Sequence, residues 1–408
     1  MSPAIAVYVH LPWCVRKCPY CDFNSHAAPA SIPEDAYVTA LLADLDGDLD
    51  LARGREVGSV FLGGGTPSLF SAAAIEVLIR GIAGRLPLAP DAEITMEANP
   101  GTIEHGSFAG YAAAGINRVS LGAQSFNAAA LAALGRIHGP GEIALAVAEL
   151  RVAGIGNFNL DLMYALPGQS RAGAVADLEA AIELTPTHLS HYQLTLEPGT
   201  AFHHRPPVLP DDDAAYEMQL DCQRLLAARG FAQYEISGYA RPDRECRHNL
   251  NYWRFGDYLG IGAGAHGKAT IDGVVIRTEK PRSPRLYLSG GGRTGGQRRP
   301  VEAGELPFEY MLNALRLYEG FTRADFERAT GLPAALIEPP LGKLAAQGLI
   351  GEAGGVLKPT ELGFRFLNDL QAAFLSDATP SGHPGELYTA PSQVVRERDF
   401  RRIVREMP

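Results

Sequence analysis

The chain has 408 residues, 46% of them hydrophobic and 20% charged, with a formal net charge of -10 and a sequence pI of about 5.6. That length and apolar content fit a soluble fold with a large core, divided over two domains, and the acidic balance argues against a general nucleic-acid binder. Five cysteines, three of them clustered, are no disulfide framework and suit a reducing cytosol. The N-terminus lacks the pattern of a secretory signal, and no apolar run is long enough to span a bilayer, which leaves peripheral membrane contact open.

Ile5 to Leu11 reads as a strand, and directly after it comes Cys14-Val15-Arg16-Lys17-Cys18-Pro19-Tyr20-Cys21. Three soft thiolates on one loop suit an iron–sulfur cluster or zinc. Structural zinc needs a fourth ligand, and only His10 and His26 lie near enough in sequence to help. A four-iron cluster on three thiolates leaves one iron open to a small molecule.

Strand patterns continue at Ser59–Leu62, Glu93–Ala98, Arg118–Leu121, Asn157–Met163 and His188–Leu196. Helical patterns lie between them at Pro33–Leu51, Ala72–Leu86, Gly141–Ala153 and Ala174–Leu184. The alternation predicts a parallel sheet with crossover helices, an incomplete TIM-like (β/α)6 barrel whose chemistry gathers at the C-terminal strand ends. Several marked residues fall at those ends. Gly63-Gly64-Gly65-Thr66-Pro67 follows the second strand and reads as a ligand cradle or as a plain tight turn. Glu97 closes the third strand and Gln124 the fourth. Arg136 follows in a loop, where a surface arginine is the plain alternative. Asp161 is a charge inside an apolar strand and wants a partner.

Asp212–Arg229 reads as a helix with acidic residues at its start, as the helix dipole favours, and Phe231–Ile236 as a further strand. Cys246-Arg247-His248-Asn249-Leu250-Asn251-Tyr252-Trp253 reads as a loop, with a histidine beside two aromatics that either lines a flat ligand or packs structurally. The run Leu259 to Gly267 is glycine-rich and allows close approach to a planar group or to the barrel. Residues 281–305 read as a Gly-rich linker. Residues 306–375 read as a small α+β winged-helix-like domain: helices at Phe308–Leu317, Arg323–Thr330 and Ala334–Gln347, a hairpin at Leu349–Leu357, and a last helix capped by Thr360 and running through Phe374. Its six Lys and Arg against eight Asp and Glu between Pro307 and Leu375 are wrong for gripping phosphates, so a lid or partner surface is expected rather than a DNA reader. Residues 376–408, with five arginines, read as a poorly ordered tail.

The stretch Tyr8-Val9-His10-Leu11-Pro12-Trp13-Cys14-x3-Cys18-x2-Cys21 resembles the signature of radical S-adenosylmethionine (SAM) proteins, and within them the group of oxygen-independent coproporphyrinogen III oxidases. The Gly-Gly-Gly-Thr-Pro turn and the His248-Asn249-x2-Tyr252-Trp253 pattern resemble that group too, the latter its heme chaperone branch. The resemblance extends over most of residues 1 to 375. It implies a barrel of residues 1–280 and a [4Fe–4S] cluster on Cys14, Cys18 and Cys21. It also implies SAM chelated by the open iron and cleaved reductively to a 5′-deoxyadenosyl radical. By match to the group, Gly64, Gly65 and Thr66 meet the methionyl end of SAM, and Tyr8, Tyr20, Glu97, Gln124, Arg136 and Asp161 contact the rest. His248 is the expected heme ligand, with Cys246 as its rival.

Two functions follow from the likeness. One is a cytoplasmic heme chaperone that hands heme to acceptor apoproteins and draws on an electron donor for its cluster. The other is an oxidase that decarboxylates coproporphyrinogen III. The oxidases resemble one another in a fourth cysteine two residues past the third, where this chain has Phe23, and in a longer N-terminal segment. Both departures, with the histidine pattern, favour the chaperone. A zinc-binding barrel of other function is the third reading.

Overall fold

A run of apolar residues buried on both sides cannot stand alone in water, and it builds a parallel sheet when helices cover it. In the computed structural model, which describes residues 3–101, 108–293 and 296–375, six such runs are strands: Ile5–Leu11 (β1), Val57–Gly64 (β2), Leu88–Ala98 (β3), Arg118–Gln124 (β4), Phe158–Tyr164 (β5) and His188–Gln193 (β6). They pair in parallel and in chain order. The crossovers carry helices Glu34–Ala52, Ala72–Ala83, Pro140–Val152 and Arg171–Glu183, each within a few residues of its expected span. Ser71 and Ser170 cap two of them by accepting from the backbone N–H groups of Ala74 and Gly173.

The sheet does not stop at β1 and β6. Ala232–Gln233 (β7) and Gly238–Ala240 (β8) extend the β6 edge antiparallel. Tyr258–Ile261 (β9) lies parallel to β1 on its other side, so the start of the glycine-rich run is a strand. Short helices at Phe108–Ala113, Ala128–Ala133 and Ala201–His204 were not expected, because six or fewer residues carry no usable period.

The chain forms two units, and they interleave in sequence. The first comprises Met1–His248, Tyr258–Ala265 and Lys280–Gly296; the second comprises Asn249–Asp257, His266–Glu279 and the chain from Gln297 onward. The span 281–305, expected to be a linker, carries helix Pro284–Ser289 and strand Gln297–Pro300.

In the second unit His266–Ile271, Val274–Glu279 and Gln297–Pro300 form an antiparallel meander. Helices Leu306–Ala314, Arg323–Thr330 and Glu338–Ala346 precede a hairpin, Ile350–Ala353 with Val356–Pro359, whose second strand also pairs with Phe321–Thr322. Helices followed by a hairpin are the winged-helix-like pattern. Pro339 and Pro340 sit at the start of their helix, so the expected Ala334–Gln347 begins instead with a 3-10 turn. The last expected helix breaks at Phe366 into Glu361–Arg365 and Leu367–Ala372. Phe308, Met311, Phe326, Leu341, Leu344 and Leu357 share its core. Residues 376–408, the expected tail, lie outside the described residues.

Candidate functional site at the strand ends

Side chains alternate along a strand, so β3 turns Glu93, Thr95 and Glu97 to one face, opposite the helices. On that face β4 gives Arg118 and Ser120, β5 Asn159 and Asp161, and β6 His188 and Ser190. Register brings them level: Ser120 stands opposite Asn159, Asn159 opposite His188, and Asp161 opposite Ser190. The apolar residues on the other face pack under the helices.

The cysteine loop leaves β1 and is pinned at its root. Trp13–Cys14 pairs with His26–Ala27, the His26 N–H donates to the Pro12 carbonyl at 2.7 Å, and the Ala28 N–H to that of Cys14 at 2.8 Å. Cys14, Cys18 and Cys21 are all partly exposed and in no disulfide. Arg136 Nη1 lies 3.7 Å from Cys18 Sγ, and Cys21 Sγ lies 3.8 Å from Ser25 Oγ. Among the described residues no three His, Cys, Asp or Glu side chains gather tightly enough for one metal ion. Zinc would need its ligands at about 2.0–2.3 Å from one centre, whereas a multi-iron cluster holds its thiolates on separate irons. The donor set fits the latter: three thiols on one loop, with the Arg136 guanidinium beside one of them.

The Gly63–Thr66 turn is shaped by the chain's own backbone. A Cβ on Gly64, whose φ is +109°, would stand 2.5 Å from the His10 ring; one on Gly65 would stand 2.6 Å from the Trp13 carbonyl oxygen. Gly65 N–H donates to Leu11 O and Thr66 N–H to Trp13 O, both at 2.8 Å, and Gly64 N–H donates to Glu97 Oε2 at 3.1 Å. These three N–H groups therefore clamp the turn to the cysteine loop and to Glu97.

Asn99, which sequence reasoning passed over, joins three loops. Its Nδ2 donates to Thr66 Oγ1 at 2.9 Å, and its Oδ1 accepts from Arg136 Nη2, which also donates to the Gly122 carbonyl at 2.8 Å. Arg136 is therefore no surface arginine. The signal was present in the Met96-Glu97-Ala98-Asn99-Pro100 strand end, a second polar residue beside the marked glutamate.

Asp161 finds its partners: Ser120 Oγ donates to Oδ2 at 3.0 Å and Asn159 Nδ2 to Oδ1 at 2.8 Å. Burial pushes its carboxyl up, and these bonds and Arg118 pull against that. Burial, then the charge of Asp161, push the Glu97 carboxyl up to about 8, against the Gly64 N–H. Gln124 sits at a bulge of β4 with φ +68°, a conformation that costs a non-glycine residue, and Tyr192 OH donates to its Oε1 at 2.8 Å. Tyr8 OH is 3.0 Å from His10 Nδ1. Burial raises the hydroxyl pKa of Tyr8 and of Tyr20, the latter against the pull of Arg136. The cysteine loop, the glycine turn, Glu97, Gln124, Arg136 and Asp161 thus converge on one end of the sheet.

His248, the expected heme ligand, is placed by the second motif of the sequence. It lies in a helix, Arg247–Trp253, rather than a loop, and it is 1% exposed. Its ring stacks on Phe61 and its Nδ1 is 3.0 Å from Ser59 Oγ. No face of that ring is open to a porphyrin in this conformation. Cys246, the rival ligand, is equally buried, with its Sγ 3.6 Å from Glu93 Oε1. Tyr252 and Trp253 belong to the second unit. The glycine-rich run approaches the barrel rather than offering its amides to a planar ligand: Gly262 N–H donates to Asp44 at 3.0 Å and Ala263 N–H to the Tyr37 hydroxyl at 2.9 Å.

Residues 8–181 match the radical SAM superfamily and residues 301–366 the HemN C-terminal domain. The chain is 53% identical over 376 residues to the heme chaperone HemW of Escherichia coli (strain K12), covering 92% of this chain and 99% of that one. It is 47% identical over 380 residues to the heme chaperone HemW of Haemophilus influenzae, with 92% and 99% covered. It is 36% identical over 338 residues to radical S-adenosyl methionine domain-containing protein 1, mitochondrial, of Mus musculus, with 80% and 76% covered. Among solved structures, the coproporphyrinogen III oxidase HemN from Escherichia coli aligns with a TM-score of 0.76 at 23% identity, over 91% of this chain and 90% of that one, a likeness of fold.

Proposed function

The chain belongs to the HemW family of radical SAM proteins, and from that premise we propose that it is a heme chaperone: it binds heme, keeps a SAM-ligated [4Fe–4S] cluster, and passes heme to acceptor apoproteins. The observation that carries this over the oxidase reading is the cluster loop. Cys14, Cys18 and Cys21 are there, but the position of the oxidases' fourth cysteine holds Phe23, which is 59% exposed.

In this reading the three cysteines hold the cluster. When bound, it supplies an open iron for the amino and carboxylate groups of SAM and an electron from an outside donor. The other residues place and shield the ligand. Arg136, fixed by Asn99 and Gly122, stands beside Cys18 at the cluster loop. Because the N–H groups of the glycine turn are turned inward, the turn meets the methionyl ammonium through carbonyl oxygens. Glu97 and Asp161 add negative charge where a sulfonium cation would lie, and Asp161, oriented by Ser120 and Asn159, is set to accept from ribose hydroxyls. Gln124, held by Tyr192, and the rings of Tyr8 and Tyr20 complete the walls. Among the described residues no helix is long and apolar enough to cross a membrane.

The test is anaerobic reconstitution with iron and sulfide, then heme titration at the Soret band in parallel with a coproporphyrinogen III decarboxylation assay. Wild type is expected to take up about four irons and to bind heme without releasing carbon dioxide. The triple variant Cys14→Ser, Cys18→Ser, Cys21→Ser should lose the iron. Carbon dioxide release without heme binding would assign the chain to the oxidases.

A further inference from the structure

One buried carboxylate stands just outside the strand-end site, and the proposed function does not use it. Asp177 lies on helix Arg171–Glu183 and is 5% exposed. Three donors from two loops converge on it. Ser125 Oγ donates to Oδ2 and the Phe126 N–H to Oδ1, each at 2.7 Å, and Gln169 Nε2 donates to Oδ2 at 3.2 Å. The two shorter bonds have the length of charge-assisted ones. Burial pushes the carboxyl up, and these donors, Ser125 first, pull against that.

Ser125 and Phe126 directly follow Gln124, whose φ of +68° persists in a non-glycine residue only where the surroundings hold it. Tyr192 holds the Gln124 side chain, but the bonds that fix the backbone come from the next residues. Ser125 N–H donates to Ala123 O at 2.9 Å, and the Ser125 hydroxyl and Phe126 N–H both end on Asp177. Ser125 Oγ also accepts from the Asn127 N–H at 3.0 Å, and Asn127 caps helix Ala128–Ala133. That helix leads to Arg136, whose N–H donates to Leu131 O at 3.0 Å. The Gln124 amide and the Arg136 guanidinium meet over Gly122, within 3.2 Å and 3.1 Å of where its Cβ would be. Gln169 brings in the loop after β5. Its Oε1 accepts from the Leu166 N–H at 3.1 Å and its own N–H donates to Leu166 O at 2.9 Å, so the turn it closes is fastened to the same carboxylate.

We propose that Asp177 is a positioning residue for the SAM site: by holding Ser125 and Phe126 it keeps Gln124 in its left-handed conformation, with the amide beside Arg136. The inference rests on the reading of the strand ends as a SAM site. A carboxylate suits the task because all three neighbours are donors, and an ionised carboxyl only accepts. An amide of the same shape would set its own NH2 group among them.

The experiment uses the full chain, reconstituted anaerobically. SAM affinity is measured by equilibrium dialysis and by the change SAM makes in the reduced cluster's electron paramagnetic resonance. Asp177→Asn is expected to weaken SAM binding about tenfold, with iron content as in wild type. Ser125→Ala, a milder change in the same network, should weaken it in the same direction in a chain that folds even if Asp177→Asn does not. Ile182→Val, a packing change five positions further along the same helix, should lower the urea midpoint and leave SAM affinity as in wild type. In a Gln124→Ala background Asp177→Asn should cost less than about twofold more, because the residue it positions is gone. Wild-type SAM affinity in both Asp177→Asn and Ser125→Ala would overturn the inference alone. So would an equal loss in Ile182→Val, or the full tenfold loss on top of Gln124→Ala. A wild-type chain that takes up its cluster and does not respond to SAM would overturn the reading of the site, and the inference with it.

Discussion

With Glu97 at the proposed SAM site, SAM binding is expected to be coupled to a proton. Burial and the neighbouring Asp161 push its carboxyl up to about 8 from an ordinary 4.5. In the ligand-free fold the carboxyl therefore holds its proton across a window where the unfolded chain has lost it. The native state binds more protons there, so stability falls as pH rises from about 4.5 through about 8, by at most about 5 kcal/mol. Partial exposure of the side chain makes that figure a ceiling. A sulfonium cation needs the carboxylate, so binding expels the proton. From pH 8 to pH 6 the ionised fraction drops from about one half to about one hundredth, which raises the SAM dissociation constant about fiftyfold, or about 2.3 kcal/mol. Glu97→Gln keeps the shape and removes the titration. The variant should bind SAM more weakly at pH 8 and show little change down to pH 6. Equilibrium dialysis of reconstituted protein at pH 6, 7 and 8 measures both curves. A wild-type affinity that does not move with pH, or a Gln variant with the wild-type slope, refutes the reasoning.

Two further outcomes follow from packing. Gly65→Ala would drive a methyl group against the Trp13 carbonyl and the Pro12 backbone, which cannot yield without moving the root of the cysteine loop; iron retained after reconstitution and desalting should fall by about half or more, since the cluster loop is displaced, and wild-type iron content would count against the clamp. In the second unit Lys268 is buried with Asp257 at 2.8 Å and also donates to the Phe255 carbonyl at 2.9 Å. Lys268→Ala removes the cation from the buried Asp257 carboxylate, which keeps only its bonds from Thr270 N–H and Oγ1, and should cost about 3–5 kcal/mol, read by urea denaturation as a lower midpoint; a change under about 1 kcal/mol would mean that the Thr270 bonds hold the carboxylate on their own.

The barrel rhythm was legible because its causes are local. Period-2 and period-3.6 patterns, caps such as Ser71, and glycine-rich turns act over a few residues, so six strands and their long crossover helices could be read in order. The cysteine spacing was legible for the same reason. The short helices and the split at Pro339 lie at or below the length where a period can be recognised. Cys246 to Trp253 read as a loop because the helix from Arg247 to Trp253 owes its form to packing: its amide at His248 is held by Glu93, 155 positions away in the chain.

What the sequence by itself determined was the class of chemistry: three thiols on one loop, a glycine turn, and carboxylates at strand ends. What only the tertiary structure decided was which groups those residues face. Asn99 joins Thr66 and Arg136, which are 33 and 37 positions away in the chain, and no local pattern marks that junction. Arg118 and Glu93 read as charges in strands, and strand register alone turns them into a buried pair beneath the site. His248 read as an open ligand in its motif, and in the fold its ring is buried against Phe61 and Ser59. The physical reason is one of range. Backbone preference and hydrophobic period are set within a turn or two of chain, whereas burial and partner choice depend on the packing of strands and helices that meet only when the whole core closes.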